Sequence, residues 1–324
     1  MTPAVTFFYM KIVVTDGYAL NPGDMSWNEI SALGDLTVYD RTAPTEVVER
    51  CMEADVVLTN KTQLSGHALR QLRKLKFISV LATGYNIVDI KTATELGIVV
   101  SNVPGYGTAS VSQHVFALLL ELTNHVGLNA GATKAGKWEA CPDFSFTEAP
   151  IMELADKTMG IVGFGNIGVQ TGRIAEALGM NVLYSGPNDK QSDFAYYVSL
   201  EELFSSSDVI SIHSPLTDSN KEFVNAALLS RMKPSAILIN TARGALINEQ
   251  DLADALNSGK IKAAALDVLS KEPPDASNPL LKAKNCLITP HVAWISVEAR
   301  ERIIAHTAEN IRSFGESRPK NRVN

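Results

Sequence analysis

The sequence predicts an α/β protein built from two doubly wound parallel sheets. Three observations carry this expectation. Short β-branched runs alternate with helical patterns almost from end to end. The runs are apolar throughout, as strands covered on both faces require. A second, longer series of strands in the middle of the chain opens on a glycine-rich turn.

In chain order, "KIVVT", "DVVLTN", "KFISVLA" and "GIVVSN" have the composition of strands, and "PTEVVERCMEA" and "SGHALRQLRKL" between them space their apolar residues as helices do. Gly107 to Lys134 reads as one long helix joining the first series of strands to the second. The second series is "KTMGIVGFG", "NVLYSG", "DVISIHS", "AILINTA", "AAALDV" and "CLITP", six strands in all. Gly179 and Gly259 stand where helix C-termini are expected. A last helix is expected from Ser296 to Phe314. The predicted layout is one α/β domain from residues 1–102 and 294–324 and a second from residues 103–293, with a cleft between them for a ligand.

Composition bounds the function. The chain has 324 residues, 45% hydrophobic and 20% charged, with a net charge of −6. No long basic run is present to neutralise a row of phosphates, so no nucleic-acid partner is expected. No apolar stretch reaches the length of a membrane span. The opening "MTPAVTFFYMKIVV" lacks a basic flank and a cleavage pattern, so no signal peptide is expected. Cys51, Cys141 and Cys286 are far apart and odd in number, which suits free thiols in a reducing cytoplasm. No metal site is expected, because neither HExxH nor a Cys/His cluster occurs. A GxSxG nucleophile turn is also missing.

The glycine-rich turn is Gly163-Phe164-Gly165-Asn166-Ile167-Gly168, between an apolar strand and an amphipathic helix. In that context GxGxxG serves a dinucleotide: Gly163 for the tight turn, Gly165 for close approach of backbone to pyrophosphate, Gly168 for packing of helix on strand. The helix N-terminus, opening at Asn166 and Ile167, offers N–H groups to the phosphates. A Rossmann domain follows as the expected fold of the second half. The next strand should end at an acid for the adenosine ribose, but Ser185 and Gly186 stand there, Gly186 eighteen residues after Gly168. Asp189 comes three residues later. No arginine compensates, and Lys190 is the nearest cation, so NAD and NADP both remain open as cofactors.

Three strand ends carry polar groups that folding does not require. They are Arg243 in "NTARG", Glu272 in "LDVLSKEP" and His291 in "TPHVAW". The carboxyl ends of strands in a doubly wound sheet face the ligand. A surface salt bridge between Arg243 and Glu272 is the structural alternative.

These motifs, in this order, resemble the D-isomer-specific 2-hydroxyacid dehydrogenase family over essentially the whole chain. "TDGYALNPGDMSW", "LTNKTQLS", "VSNVPGYGTASVSQH" and "CPDFSF" are similar to its glycerate dehydrogenase (hydroxypyruvate reductase) branch. The resemblance implies a flavodoxin-like substrate domain beside the Rossmann domain. It implies NAD(P)-dependent reduction of hydroxypyruvate to D-glycerate, and the reverse. Arg243 is expected to bind the 2-oxo acid through carboxylate and carbonyl. His291 is expected to donate the proton, and Glu272 to orient the imidazole and favour its charged form. Thr83 and Gly84 are expected to present backbone N–H groups to the substrate carboxylate, with Tyr85 and Asn86 tuning specificity, an ordinary strand-to-helix turn being the equal alternative; Trp294 is expected as an apolar wall near the substrate. Thr108 is expected at the cofactor ribose or as a helix cap. Ser214 and Pro215 are expected on the adenosine side, with Thr241 and Ala242 along the cofactor. Asp267 is expected at the nicotinamide carboxamide, with turn capping as its other role. His213 is expected to be structural or cofactor-lining, and His114 to pack within the long helix. That helix is expected to be domain core or the centre of a homodimer. The other readings are a different 2-oxo acid, such as glyoxylate, and a dinucleotide-sensing corepressor-like binding protein. The intact Arg243, Glu272 and His291 favour an enzyme over the latter.

Overall fold

The computed structural model describes residues 10–324, so the start of the apolar opening segment lies outside the described residues. The chain divides into two compact units, one running to Gly107 and resuming at Ile295–Asn324, the other spanning Thr108–Trp294.

The first unit holds a parallel sheet of β1 (Met10–Val14), β2 (Gly34–Val38), β3 (Val56–Thr59), β4 (Phe77–Val80) and β5 (Val99–Ser101). Their order is β2-β1-β3-β4-β5, the flavodoxin-like arrangement. Val13, Val57, Ile78, Val80 and Val100 pack with Val47 and Leu69 from the helices and with Leu72 from the loop that follows. The C-terminal helix, Val297–Gly315, buries Ile303, Ile304 and Ile311 in this unit and stacks Phe314 on Phe77 with ring centroids 4.7 Å apart. Ser296 caps it by accepting the Ala299 N–H. Arg300, 5% exposed, ties it to the loop after β1 through a two-point ion pair with Asp24 at 2.7 and 2.8 Å.

The second unit holds β6 (Thr158–Val162), β7 (Asn181–Ser185), β8 (Tyr196–Tyr197), β9 (Val209–Ile212), β10 (Ile237–Asn240), β11 (Ala263–Leu266) and β12 (Cys286–Ile288). All pairings are parallel, in the order β12-β11-β10-β9-β6-β7-β8. Counted from β6, the strands run 3-2-1-4-5-6 from β8 to β11, the doubly wound dinucleotide order, which reverses direction beside β6, and β12 extends it as a seventh strand. Neighbouring residues of each strand face opposite sides. Ile161, Ile237 and Ile239 join one core cluster, whereas Val162, Leu238 and Leu266 join the other. Burying such a side chain contributes roughly 1.5–3 kcal/mol, so both faces must be covered for the sheet to persist.

The connection between the two series of strands differs from expectation. The predicted helix over residues 107–134 is two helices, Thr108–Asn124 and Val126–Lys134, divided at His125. His125 adopts a left-handed backbone (φ 51°), which re-aims the chain without glycine or proline. The apolar run of the first helix is domain core: Val115, Phe116, Leu118 and Leu119 pack against Met159 and Ile161. Among the described residues no helix is long and apolar enough to cross a membrane. The three thiols are free, and burial pushes Cys51 and Cys286 up to about 12, so neither is a nucleophile at neutral pH.

Candidate active site

The strand register levels one edge of the second sheet. Ser185 lies opposite Val162, Val162 opposite Ile212, Ile212 opposite Asn240, Asn240 opposite Leu266, and Leu266 opposite Ile288. Every loop leaving this carboxyl edge therefore starts at one height. The sequence-predicted residues from Gly163 to His291 sit on these loops.

Gly163 follows β6 with φ at 95°, and a Cβ there would lie 2.7 Å from the Ser214 nitrogen and 2.8 Å from the His213 carbonyl carbon. Only glycine allows the β6 and β9 ends to approach so closely. A Cβ on Gly168 would meet the Gly163 oxygen at 2.2 Å, so the helix Asn166–Ala177 starts directly on the turn. Gly165 differs: its Cβ would meet nothing within 4 Å, and no side chain caps the helix there. Packing therefore does not explain this glycine, and the open space over exposed helix N–H groups suits a phosphate. Beside the turn, Val162, Ser185, Gly186, Ser214, Asn220 and Phe223 line a cleft of about 260 Å³, of a character suited to an adenosine. The Pro215 carbonyl accepts from Asn220 Nδ2 at 2.8 Å, shaping the loop that forms one wall. Thr241 Oγ1 is buried with no hydrogen-bond partner among the described residues, a group left for a ligand to satisfy. These residues fit a nicotinamide dinucleotide.

Asp189 does not stand in for an acid at Gly186. Its carboxylate accepts from the buried Tyr184 hydroxyl and, at 2.8 Å, from the Gln191 N–H, and the Tyr184 oxygen accepts the Lys190 N–H at 2.9 Å. The Tyr184 hydroxyl holds the Asp189 carboxyl below its ordinary range. Stacking of Tyr184 on Phe164, centroids 4.0 Å apart, couples this knot to the glycine turn. His213 contacts Ser211 Oγ at 2.9 Å through Nε2, and burial pulls it down to about 4, so it is neutral at physiological pH.

Beyond β10, buried Asn240 shapes the turn that presents Arg243. Its Oδ1 accepts the Ala242 N–H and its Nδ2 donates to the Arg243 carbonyl, both at 2.9 Å. The exposed Arg243 guanidinium donates to the Ala242 carbonyl at 2.7 Å. Beyond β11 and β12, Glu272 and His291 meet. His291 Nδ1 lies 2.6 Å from Glu272 Oε2, and Glu272 Oε1 accepts the Leu269 N–H at 3.1 Å. A carboxylate clamped on both oxygens and facing Nδ1 fixes the ring and leaves Nε2 as the exchanging end. Asp267 is fully buried between these loops, its carboxylate accepting from Thr289 Oγ1 at 2.6 Å and from the N–H groups of Val292 and Ala293 at 2.9 and 2.8 Å. Burial opposes its charge, but hydrogen bonds from His114, Thr289, Ala293 and Val292 outweigh it and hold the carboxyl below its ordinary range. Asn240 and Thr289 were not singled out by the sequence; a polar residue at the last or next position of an apolar strand is the signal that marks both.

The remaining predicted residues lie elsewhere. Thr108 begins the helix Thr108–Asn124, and half-buried Trp294 ends the second unit. In the first unit, Thr83, Gly84, Tyr85 and Asn86 form the turn beyond β4. The Thr83 hydroxyl donates to the Val103 carbonyl at 2.9 Å, the Thr83 carbonyl accepts from Asn102 at 2.7 Å, and Tyr85 is 40% exposed. Among the described residues no group of three or more His, Cys, Asp or Glu side chains is placed to hold a metal ion.

A doubly wound sheet that opens on this turn is the architecture of a nicotinamide-dinucleotide oxidoreductase. Residues 116–293 match the family described as D-isomer specific 2-hydroxyacid dehydrogenase, NAD binding domain. A hydroxypyruvate reductase of Blautia hydrogenotrophica is 50% identical over 322 residues, covering 97% of this chain and 100% of the relative. A glycerate dehydrogenase of Methylorubrum extorquens is 37% identical over 318 residues, 97% and 98% of the two chains. Among solved structures, an acyclic imino acid reductase in complex with NADPH and D-Arg aligns with a TM-score of 0.83 at 31% identity, covering 97% of this chain and 100% of that one. The chain belongs to the D-isomer specific 2-hydroxyacid dehydrogenase family. It is an NAD(P)-dependent enzyme that interconverts 2-oxo and 2-hydroxy acids.

Proposed function

We propose that the enzyme reduces hydroxypyruvate to D-glycerate, and the reverse. The observation that carries the reaction type is the 2.6 Å contact of His291 Nδ1 with Glu272, on the two strand ends that follow in sheet order the one that presents Arg243. The choice of substrate rests on similarity to the hydroxypyruvate reductase at 50% identity. Gly163, Gly165, Gly168, Ser185, Gly186, Ser214, Thr241 and Ala242 are assigned to the cofactor. When bound, the reduced nicotinamide supplies the hydride. Arg243 binds the substrate carboxylate and carbonyl oxygen through its planar fork, drawing electron density from the carbonyl carbon. His291 gives the Nε2 proton to that oxygen, and Glu272 holds the ring by Nδ1 throughout.

A paired kinetic assay tests the reading: hydroxypyruvate and glyoxylate, each with NADH and with NADPH. The expected result is higher kcat/KM on hydroxypyruvate. A preference for glyoxylate would move the assignment to that smaller acid, and binding of cofactor without turnover of any 2-oxo acid would overturn an enzymatic role. We assign a homodimer as well. Val126, Leu128, Trp138, Phe144 and Ile151 are large apolar side chains between 49 and 92% exposed within one short stretch, which suits a subunit contact. Sedimentation at micromolar concentration checks it, a monomer counting against.

A further inference from the structure

His291 stands on an unusual backbone. Its φ of 56° lies in the left-handed region, where a side chain other than glycine or asparagine is disfavoured. Its N–H donates to the Asp267 carbonyl at 2.8 Å and lies 3.0 Å from the Thr289 carbonyl. The next two N–H groups, of Val292 and Ala293, donate to the Asp267 carboxylate. The loop that carries the imidazole is thus wrapped around one buried anion.

The chain of bonds extends one residue further. Thr289 has a single hydroxyl hydrogen, committed to Asp267 Oδ1 at 2.6 Å. Towards His114 Nε2, 3.1 Å away, the same oxygen can therefore only accept. His114 Nε2 must carry a hydrogen and donate it, and it also lies 3.5 Å from Asp267 Oδ1. His114 projects from the helix Thr108–Asn124, whose neighbouring residues Val115 and Phe116 are buried in the core. A rigid core helix is in this way linked to the strained loop through Thr289 and Asp267.

We propose that His114 is a positioning residue for proton transfer: by donating from Nε2 to Thr289 it fixes the Thr289–Asp267 pair and, through Asp267, the backbone from which His291 reaches the substrate. This rests on the reading of His291 as proton donor. His114 is then no packing residue, and Thr289 no incidental strand end. Without the donor, the Thr289 oxygen is held from the Asp267 side alone, and the loop gains freedom where proton transfer tolerates displacements of only about 0.5 Å.

The test compares His114→Ala with His114→Gln, which keeps an N–H donor, and Thr289→Val with Thr289→Ser, which keeps the hydroxyl. The readouts are kcat and KM on whichever 2-oxo acid the parent turns over best, cofactor Kd by nucleotide fluorescence, and Tm. The expected result is a loss of about 10–100-fold in kcat for Ala and Val, the size of a small misplacement of a reacting group. KM and cofactor Kd stay at the parent values, and Gln and Ser recover most of the loss. The double variant His114→Ala with Thr289→Val is no slower than the slower single, because both break one chain of bonds. Parental kcat in His114→Ala, equal losses in Ala and Gln, or a fall in Tm with kcat unchanged overturns the proposal. If His114→Ala does not fold, the Thr289 pair decides it by the same criteria. His291→Gln separates the two readings. Full turnover there removes the proton-donor assignment itself, whereas an inactive His291→Gln beside a fully active His114→Ala removes only the role of His114.

Discussion

His291 Nδ1 and Glu272 Oε2 are 2.6 Å apart, and the second Glu272 oxygen is held by the Leu269 N–H. An ionised carboxylate can only accept, so Nδ1 carries the hydrogen and the proton transfer proposed for His291 runs through Nε2. His291→Gln is therefore expected to lose about 10²–10⁴ in kcat, the usual worth of a placed acid/base group, with cofactor Kd unchanged. Glu272→Gln should lose less. The double variant should be no worse than His291→Gln, as groups acting as one unit are not additive. Single-turnover kinetics with pre-bound NADH reads the chemical step directly. Independent, multiplying losses would show that the pair does not act as a unit.

The glycines of the phosphate turn should separate folding from binding. A methyl on Gly168 meets the Gly163 carbonyl at 2.2 Å, so Gly168→Ala must push helix from strand and is expected to cost about 1–3 kcal/mol of stability. A methyl on Gly165 meets nothing within 4 Å, so Gly165→Ala should keep the parent Tm. Its methyl occupies the space assigned to the pyrophosphate, and cofactor binding should weaken by at least about tenfold. Thermal unfolding and nucleotide titration of the two variants check this crossing pattern.

Cofactor choice should respond to one substitution. Gly186 holds the position of the ribose acid, and a Cβ there meets nothing within 4 Å. Gly186→Asp is expected to raise the NADH-to-NADPH ratio of kcat/KM by at least about tenfold, because a carboxylate repels a 2′-phosphate. An unchanged ratio would place the second phosphate away from this loop.

His213 should mark the acid limb of stability. Burial holds it at about 4, against 6.5 for an exposed histidine. Between these values the unfolded chain binds the proton and the folded chain does not, so stability falls as pH drops from 6.5 towards 4 and levels off below. The loss is at most roughly 3 kcal/mol. Urea unfolding at pH 7, 5.5 and 4.5 should show a shallower slope for His213→Asn than for the parent.

How far the sequence could be read depended on the distance over which each feature is encoded. The buried strands β6, β9, β10 and β11 are continuous apolar runs, visible locally because both faces are covered. The glycine turn is likewise local. β2 was not visible: it lies at the sheet edge, with Asp35, Thr37 and Val38 largely exposed, and lacks a strand's apolar signature. The break at His125 uses a left-handed residue that carries no punctuation in sequence. The Asp267 network joins residues separated by 22 to 175 positions, and the contact of His114 with Thr289 was not legible because no local pattern points from a helix to a loop so far along the chain.

The Ser110 hydroxyl donates to the Ala293 carbonyl at 2.7 Å, joining the third residue of the second unit to its next-to-last. The nucleotide-binding unit thus enters and leaves at a single point, like a guest inserted into a host. A segment whose two ends are stitched together can be excised without stretching any strand. Residues 108–294 expressed alone should therefore fold and bind dinucleotide, and joining their ends by a short linker should yield a circularly permutable nucleotide sensor.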